Sequence, residues 1–305
     1  MMGRVYQGTL AVISLAFLGL FFVSVLVLVA MWNPLSPEVD EPSLLSMKLD
    51  GVILDSSEFV STLRTYRDDP NIKGVIIQVN SPGGLVGTSQ ELYTEIKRVR
   101  EEARKPVVVS GGSVVASGAY YAAAGADRIV ANPGTLMGSI GVIMEFANLK
   151  GLFDLAKVDR YVLKTGDFKD AGSDLRRMKP EEQDLFQGIL EEVHDQFKLA
   201  VQTSRRLSPD IVNKYGDGRI FTGETAVRLG FADQVGTYED ALRVAGNLAG
   251  LGPNPKVFNP NNKTMEWLSK IQTTTSAERK LEAIADKYLH VHLVGKPLYL
   301  MPGIL

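Results

Sequence analysis

Hydrophobic positions fall along this chain in three kinds of run. The first is unbroken: residues 9–32, TLAVISLAFLGLFFVSVLVLVAMW, carry no charge. The second is short and continuous. GVIIQV (Gly74–Val79) and KPVVVS (Lys105–Ser110) are rich in β-branched residues, as expected of parallel strands covered on both faces. DRIVA (Asp127–Ala131) reads as a further short strand. The third kind is periodic. Leu92, Ile96 and Val99 mark one face of a helix ending near Ala103. Leu185, Ile189, Val193 and Phe197 mark a stripe, expected to be buried, on a long helix opened by Pro180, Glu181 and Glu182. FTGETAVRLGFADQVG (Phe221–Gly236) predicts a short helix capped by Thr222 and stopped at Gly230. A last helix is expected over Tyr238–Leu248. Strand–helix–strand repetition of this kind predicts an α/β fold, with a largely parallel sheet and right-handed crossover helices.

The unbroken run has a different destiny. As a helix its 24 residues would reach about 36 Å, enough to cross a hydrocarbon core of about 30 Å with some tilt. It is too long for the apolar part of a cleavable signal, and VAMWNP is a poor cleavage site. An uncleaved transmembrane anchor is expected over residues 9–32. Arg4 precedes it, and NPLSPEVDE, with no Lys or Arg, follows it. The positive-inside bias then puts the N-terminus in the cytoplasm and the remainder outside it. Residues 33–46, with three prolines, read as a linker. Residues 47–250 read as the main domain. LGPNPKVFNPNNK closes it, and residues 251–305 form an extension, helical over 264–290, with an apolar tail.

Composition narrows the chemistry. Net charge is −2 and the sequence contains no cysteine and three histidines, His194, His290 and His292. No basic field points to nucleic acid, disulfides are impossible, and a zinc or iron–sulfur centre is not expected. His194 falls beside the stripe of the long helix and reads as structural.

Two segments that read as glycine-rich turns carry the candidate chemistry. NSPGG (Asn80–Gly84) follows the first inner strand, and SGGSVVASG (Ser110–Gly118) follows the second. In open α/β sheets, sites form beyond the carboxyl ends of strands. Glycines let backbone N–H groups face a ligand oxygen, and a helix start adds more of them. Ser117, just before Gly118, is placed to be a nucleophile beside such donors. Small residues around a serine also serve tight helix packing, and spacing alone does not separate the two. A nucleophilic serine needs a base, and histidines are few. Lysine serves only if a dry pocket lowers its pKa to roughly 7–8. VLKTGDFKDAGSDLRR offers Lys164 and Lys169, and the residues alone do not rank them.

NSPGG, SGGSVVASGAYYAAAGADRIVANPGTLMGSIGV, KTGDFKDAGS and GRIFTGETAVRLGFADQVG together resemble the signal peptide peptidase A family. These are membrane-anchored Ser–Lys proteases of the Clp/crotonase superfamily. The resemblance spans about Met47 to Leu248, with the motifs in order. It implies a Clp/crotonase-like domain with Ser117 as nucleophile and Lys169 as general base. It implies Ser139 as the residue that orients the lysine amine, and Gly84 and Gly118 as oxyanion-hole donors. It implies cleavage of remnant signal peptides through an acyl-enzyme, no metal or other cofactor, and a homo-oligomeric ring with shared groove walls. The alternatives are a related membrane protease with one specific membrane-protein substrate, an acyl-CoA enzyme of the crotonase type, and a non-catalytic scaffold. Ser113 stays without a chemical role and is expected to pack or to cap a helix. The tail KPLYLMPGIL is apolar and proline-bounded. It is expected in the substrate groove as a self-ligand, on a neighbouring subunit, or packed on its own domain.

Overall fold

Strand β2 (Ile72–Ser81) and strand β4 (Val107–Ala116) form the centre of the sheet, in parallel register from Val75 opposite Val107. The computed structural model describes residues 17–25, 38–260 and 297–301. The chain divides into two compact units, Met1–Asp40 and Glu41–Leu305.

In the first unit, helix α1 is described over residues 17–25 and leaves Phe17, Leu18, Phe21 and Phe22 exposed. The rest of the expected anchor lies outside the described residues. Among the described residues no helix is long and apolar enough to cross a membrane.

The second unit is an α/β fold. Strand β1 (Ser43–Asp50) lies parallel to β2 and begins inside the expected linker. On the other side of β2, β4 changes neighbour along its length. Its first half pairs with β5 (Arg128–Ala131) and its second with β6 (Leu136–Gly138), both parallel. Strand β7 (Ile220–Thr222) runs antiparallel to β6, while β8 (Gln234–Val235) and β9 (Val257–Phe258) extend the sheet beside β5 and β1.

Alternation along the strands explains the continuous apolar runs. Leu44, Ile76, Val108 and Val130 pack under Ala241 and Ala245 of helix α9 (Tyr238–Leu248). Their neighbours Val75, Ile77 and Val109 point the other way and are buried too. Helices α2 (Ser57–Tyr66) and α3 (Val86–Glu101) follow β1 and the short strand β3 (Gly83–Leu85), and α3 buries Leu92, Ile96 and Val99 as expected. Thr222 caps helix α8 (Gly223–Leu229), and Gly230 ends it at φ 85°.

Three expectations are corrected. SGGSVVA is not a turn but the second half of β4. Two extra residues bulge out between Gly111 and Val115, opposite Val79 and Ser81. Side chains satisfy the freed backbone groups. Asn80 Oδ1 accepts from Ser113 and Val114 N–H at 3.2 and 3.3 Å. Asn132 Nδ2 and Thr135 Oγ1 donate to the Gly111 and Gly112 carbonyls. Ser113 therefore lies exposed on a strand and caps no helix. Finally, the stripe on helix α6 (Pro180–Arg205) is buried only in part. Phe197 is covered, but Leu185 and Ile189 remain exposed. The expected helix over 264–290 lies outside the described residues.

Candidate active site

The bulge carries β4 to Ala116, and Ser117 follows at the junction with helix α4 (Gly118–Ala124). Its backbone stands at φ 54°, ψ −122°. That region is costly for a residue with a Cβ, about 1–3 kcal/mol, and persists only where surroundings enforce it. Two bonds do so: Ser117 N–H donates to Gly138 O, and Tyr121 N–H donates to Ser117 O, each at 2.8 Å. A serine on a strained strand-to-helix turn presents its hydroxyl apart from the ladder of either element. Ser117 is fully buried, and its Oγ has no hydrogen-bond partner among the described residues.

The second glycine segment meets this turn. Strand β3 (Gly83–Leu85) is fixed by Ile53, whose N–H donates to Gly83 O while its carbonyl accepts from Leu85 N–H. Gly83 has φ 100°, and a Cβ there would stand 2.7 Å from Gly118 N and 3.0 Å from Ser117 Cβ. A Cβ on Gly118 would stand 2.3 Å from Ser89 Oγ and 3.2 Å from Gly84 N. Both segments thus need glycine for contact, and the Gly84 and Gly118 backbone nitrogens come close together beside Ser117. Two N–H groups so placed, one at a helix start, can hold a developing oxyanion.

The tail enters this cleft. Strand β10 (Leu298–Leu300) pairs antiparallel with β3, setting Leu298, Tyr299 and Leu300 opposite Leu85, Gly84 and Gly83. Its other edge exchanges bonds with Ile143: Leu298 N–H donates to Ile143 O at 3.0 Å, and Ile143 N–H to Leu298 O at 3.1 Å. Among the described residues the tail strand packs along β3 of its own chain.

Ser139 is brought beside Ser117. Each lies one residue past the end of its strand, where Ala116 of β4 pairs with Gly138 of β6, and each has positive φ, 54° and 51°. Ser139 is buried, and its N–H donates to Arg219 O at 2.8 Å.

No hydrogen bond joins Lys169 to Ser117 Oγ among the described residues. Lys169 lies exposed in the segment between helix α5 (Lys150–Ala156) and α6. The physical reason is the state of that segment. Leu155, Tyr161, Leu163 and Phe168 face solvent, Leu163 completely, so no apolar wall encloses the lysine in a single chain. The segment is nonetheless pinned next to Lys169. Arg176 donates to Glu182 Oε2 at 2.8 Å and to the Asp170 backbone carbonyl at 3.1 Å. These bonds hold the Glu182 carboxyl down to about 2, and Arg176 with Lys164 holds Asp170 lower than the usual carboxylate range. Lys164, the other candidate base, is spent on Asp170 and on the Asp167 carbonyl. His194 is structural, as expected: its Nε2 lies 2.6 Å from Gly216 O and 3.1 Å from Ile140 O.

Sequence reasoning missed the pocket around Tyr299. Tyr121 stacks on its ring with centroids 5.2 Å apart, Phe197 packs at 4.7 Å, and Tyr299 Oη donates to Val193 O at 3.0 Å. Burial pushes the Tyr121 phenol up to about 12 and the Tyr299 phenol above its ordinary value as well. Both rings therefore act as neutral packing groups. The tyrosines of SGAYY were the available signal.

The chain is similar to known proteins over much of its length. Residues 99–252 match the family model described as Peptidase family S49. A Synechocystis protein bearing a protease name is 41% identical over 72% of this chain and 77% of its own length. An Enterococcus faecium protein bearing the name signal peptide peptidase SppA is 33% identical, over 65% of this chain and 61% of its own. Serine protease SPPA of the Arabidopsis thaliana chloroplast is 30% identical over 78% of this chain, which spans 36% of that protein. With the matched region holding both β4 and the serine turn, the chain belongs to peptidase family S49 and is a serine protease.

Proposed function

We propose that this chain is a membrane-anchored endopeptidase with a Ser–Lys dyad that degrades remnant signal peptides, on a Clp/crotonase-like scaffold. One observation carries the reading: Ser117 Oγ is buried and unpartnered on a strained turn, beside the Gly84 and Gly118 nitrogens. Ser117 attacks the peptide carbonyl, and Gly84 and Gly118 N–H groups hold the oxyanion. Lys169 takes the Ser117 proton, gives a proton to the leaving amine, and then activates water on the acyl-enzyme. Ser139 orients the lysine amine.

The lysine must leave water to do this. Its segment exposes a run of large apolar residues, with Leu155 at 82% and Leu163 at 100%. Patches of that kind mark contact surfaces. We assign this one to contacts between copies in a homo-oligomeric ring, which cover the apolar side chains around Lys169. The exposed apolar side chains of α1 suit a lipid surrounding, and Arg4 orients the anchor with its N-terminus in the cytoplasm and the protease domain outside. The cleft suits apolar peptides, since Leu298 and Leu300 sit there among Val52, Leu54, Leu85 and Ile143.

A serine-reactive fluorophosphonate tests the nucleophile. The adduct is expected on Ser117 of the full chain and absent from Ser117→Ala. Equal labelling of the two proteins, or an adduct mapped elsewhere, refutes the assignment.

A further inference from the structure

Two buried side-chain polar atoms have no hydrogen-bond partner among the described residues, Ser117 Oγ and Arg205 Nε. The first belongs to the candidate active site. The second lines a different cleft of about 680 Å³, where helices α3 and α6 end and β5 begins. Helix α4 separates the two places. It starts at Gly118, beside Ser117, and ends at Ala124, just short of the lining residues Ala126 and Asp127. Its length is about 10 Å at 1.5 Å per residue.

The cleft is cationic. Lys97, Arg100, Arg128, Arg205 and Arg206 line it against Glu101, Asp127 and Asp233, two more cations than carboxylates. Cations gather at helix C-termini for the sake of the dipole, and Arg100 is used in that way: its Nη1 donates to Gly125 O at 3.1 Å, at the end of α4. The other cations are not used up so. Each carboxylate is already engaged. Glu101 accepts from Arg100 at 2.7 Å, Asp127 accepts the Val107 N–H at 2.8 Å, and Asp233 accepts the Ile129 N–H at 2.7 Å as well as the Arg205 guanidinium. The Arg206 guanidinium has no ion-pair partner among the described residues.

Arg205 is the telling member. Its side chain is only 6% exposed, and it reaches Asp233 through Nη2 while Nε stays open. A buried cationic donor without an acceptor is costly, and an arriving anion removes that cost. A carboxylate fits the fork of a single guanidinium. A tetrahedral phosphate offers oxygens to several walls at once and carries up to two charges, which suits guanidinium groups converging from different elements.

We infer that this cleft binds a phosphate-type dianion, held by Arg128 and Arg206 over Arg205, whose donor set it completes. The phosphate comes either from solution or from the headgroup of a phosphomonoester lipid, and the chemistry of recognition is the same.

The test titrates inorganic phosphate calorimetrically into the full chain in neutral detergent, at constant ionic strength with chloride as the balancing anion. Saturable binding is expected, with a Kd at or below about 1 mM. Arg128→Gln and Arg206→Gln should each weaken it about tenfold, as expected for loss of one charged hydrogen bond. Both side chains are exposed, so melting temperatures without phosphate should match wild type. Arg205 is left intact because it holds Asp233. Native mass spectrometry with phosphatidic acid in the micelle separates the sources. Lipid retained by wild type and lost from both variants assigns a headgroup, and lipid retained equally by all three, with phosphate binding weakened in the variants, assigns a ligand from solution. Absence of saturable phosphate binding overturns the inference, and so does binding that neither substitution weakens.

Discussion

Ser117 donates its backbone N–H to the carbonyl of Gly138 at 2.8 Å, and this bond ties the two strained serines of the site together. It is the last rung between β4 and β6. Beyond it, Ser117 leads into helix α4 and Ser139 leads away toward the segment that carries Lys169. Sheet register, rather than side-chain contact, therefore sets how the two hydroxyls stand to one another.

Strain at the first of them should be measurable. Ser117→Gly relieves a positive φ and loses no side-chain hydrogen bond, because Oγ has no partner. The variant is expected to be inactive, yet unchanged or up to about 1–2 kcal/mol more stable. Thermal unfolding beside a peptidase assay checks both halves. A clear fall in Tm would mean that Ser117 supports the fold.

The bulge behind the serine depends on Asn80. Its Oδ1 accepts both the Ser113 and Val114 N–H groups, residues that have no register partner in β2 at the bulge. Asn80→Ala should cost about 1–3 kcal/mol of stability. Peptidase activity should fall with it, since the second half of β4 aims Ser117. Asn80→Asp keeps the acceptor and should recover most of both. Denaturant unfolding and kcat for the pair of variants decide this.

These residues also mark what the sequence disclosed. Continuous β-branched runs located β2 and β4 because a strand buried on both faces needs apolar residues at every position. Thr222 and Gly230 fixed their helix because capping is local chemistry. The same local signals misled at SGGSVVA, where glycines read as a turn. Asn80, Asn132 and Thr135, distant in sequence, hold that segment in the sheet. The Leu185–Ile189 half of the stripe was read as core, since periodicity reports an apolar face and not what covers it. Ser117, Gly118 and Gly84 converge as the motifs implied. The Tyr299 pocket left only Tyr121 of SGAYY as a signal, because it joins α4, α6 and the tail through tertiary contacts.

Acid should loosen the lysine segment. Glu182 and Asp170 have lowered carboxyl pKa values, chiefly through their bonds to Arg176. Groups depressed in this way contribute stability that is present above their unfolded values of about 4 and is lost as pH falls through the folded values. Between pH 4 and 2 the segment carrying Lys169 should become more open to proteolysis and hydrogen exchange. Arg176→Ala should produce that opening at neutral pH, and an unchanged exchange profile in the variant would show that these bonds do not hold the segment.

Charges on the exposed apolar run should break assembly. Leu155→Asp with Leu163→Asp alters two side chains that have almost no contact within one chain. Folding of the protomer should be preserved, with unfolding free energy within about 0.5 kcal/mol. Mass measurement of the detergent-solubilised protein is expected to shift from a ring to smaller species, with loss of activity. A ring of unchanged mass and full activity would place the subunit contact elsewhere.

The choice between the two lysines can be argued from their surroundings. Lys164 gives its amine to Asp170 and to the Asp167 carbonyl, and serves to hold the segment. Lys169 lies on the same segment, exposed, within the apolar stretch that subunit contacts are proposed to cover. Loss of a general base typically costs 10²–10⁴-fold in rate. Lys169→Ala should therefore lower kcat by about 10³-fold, while Lys164→Ala should lower it less than about tenfold. Lys169→Arg should not rescue, because a guanidinium stays protonated at any working pH. Ser139→Ala should fall between wild type and the Lys169 variants, since it removes an orienting bond and not a reactant. Circular dichroism and the mass of each assembly must match wild type for the comparison to bear on chemistry. Near-normal turnover in Lys169→Ala, together with an inactive Lys164→Ala, would reverse the assignment and make the Asp170 pairing a latch that opens before catalysis.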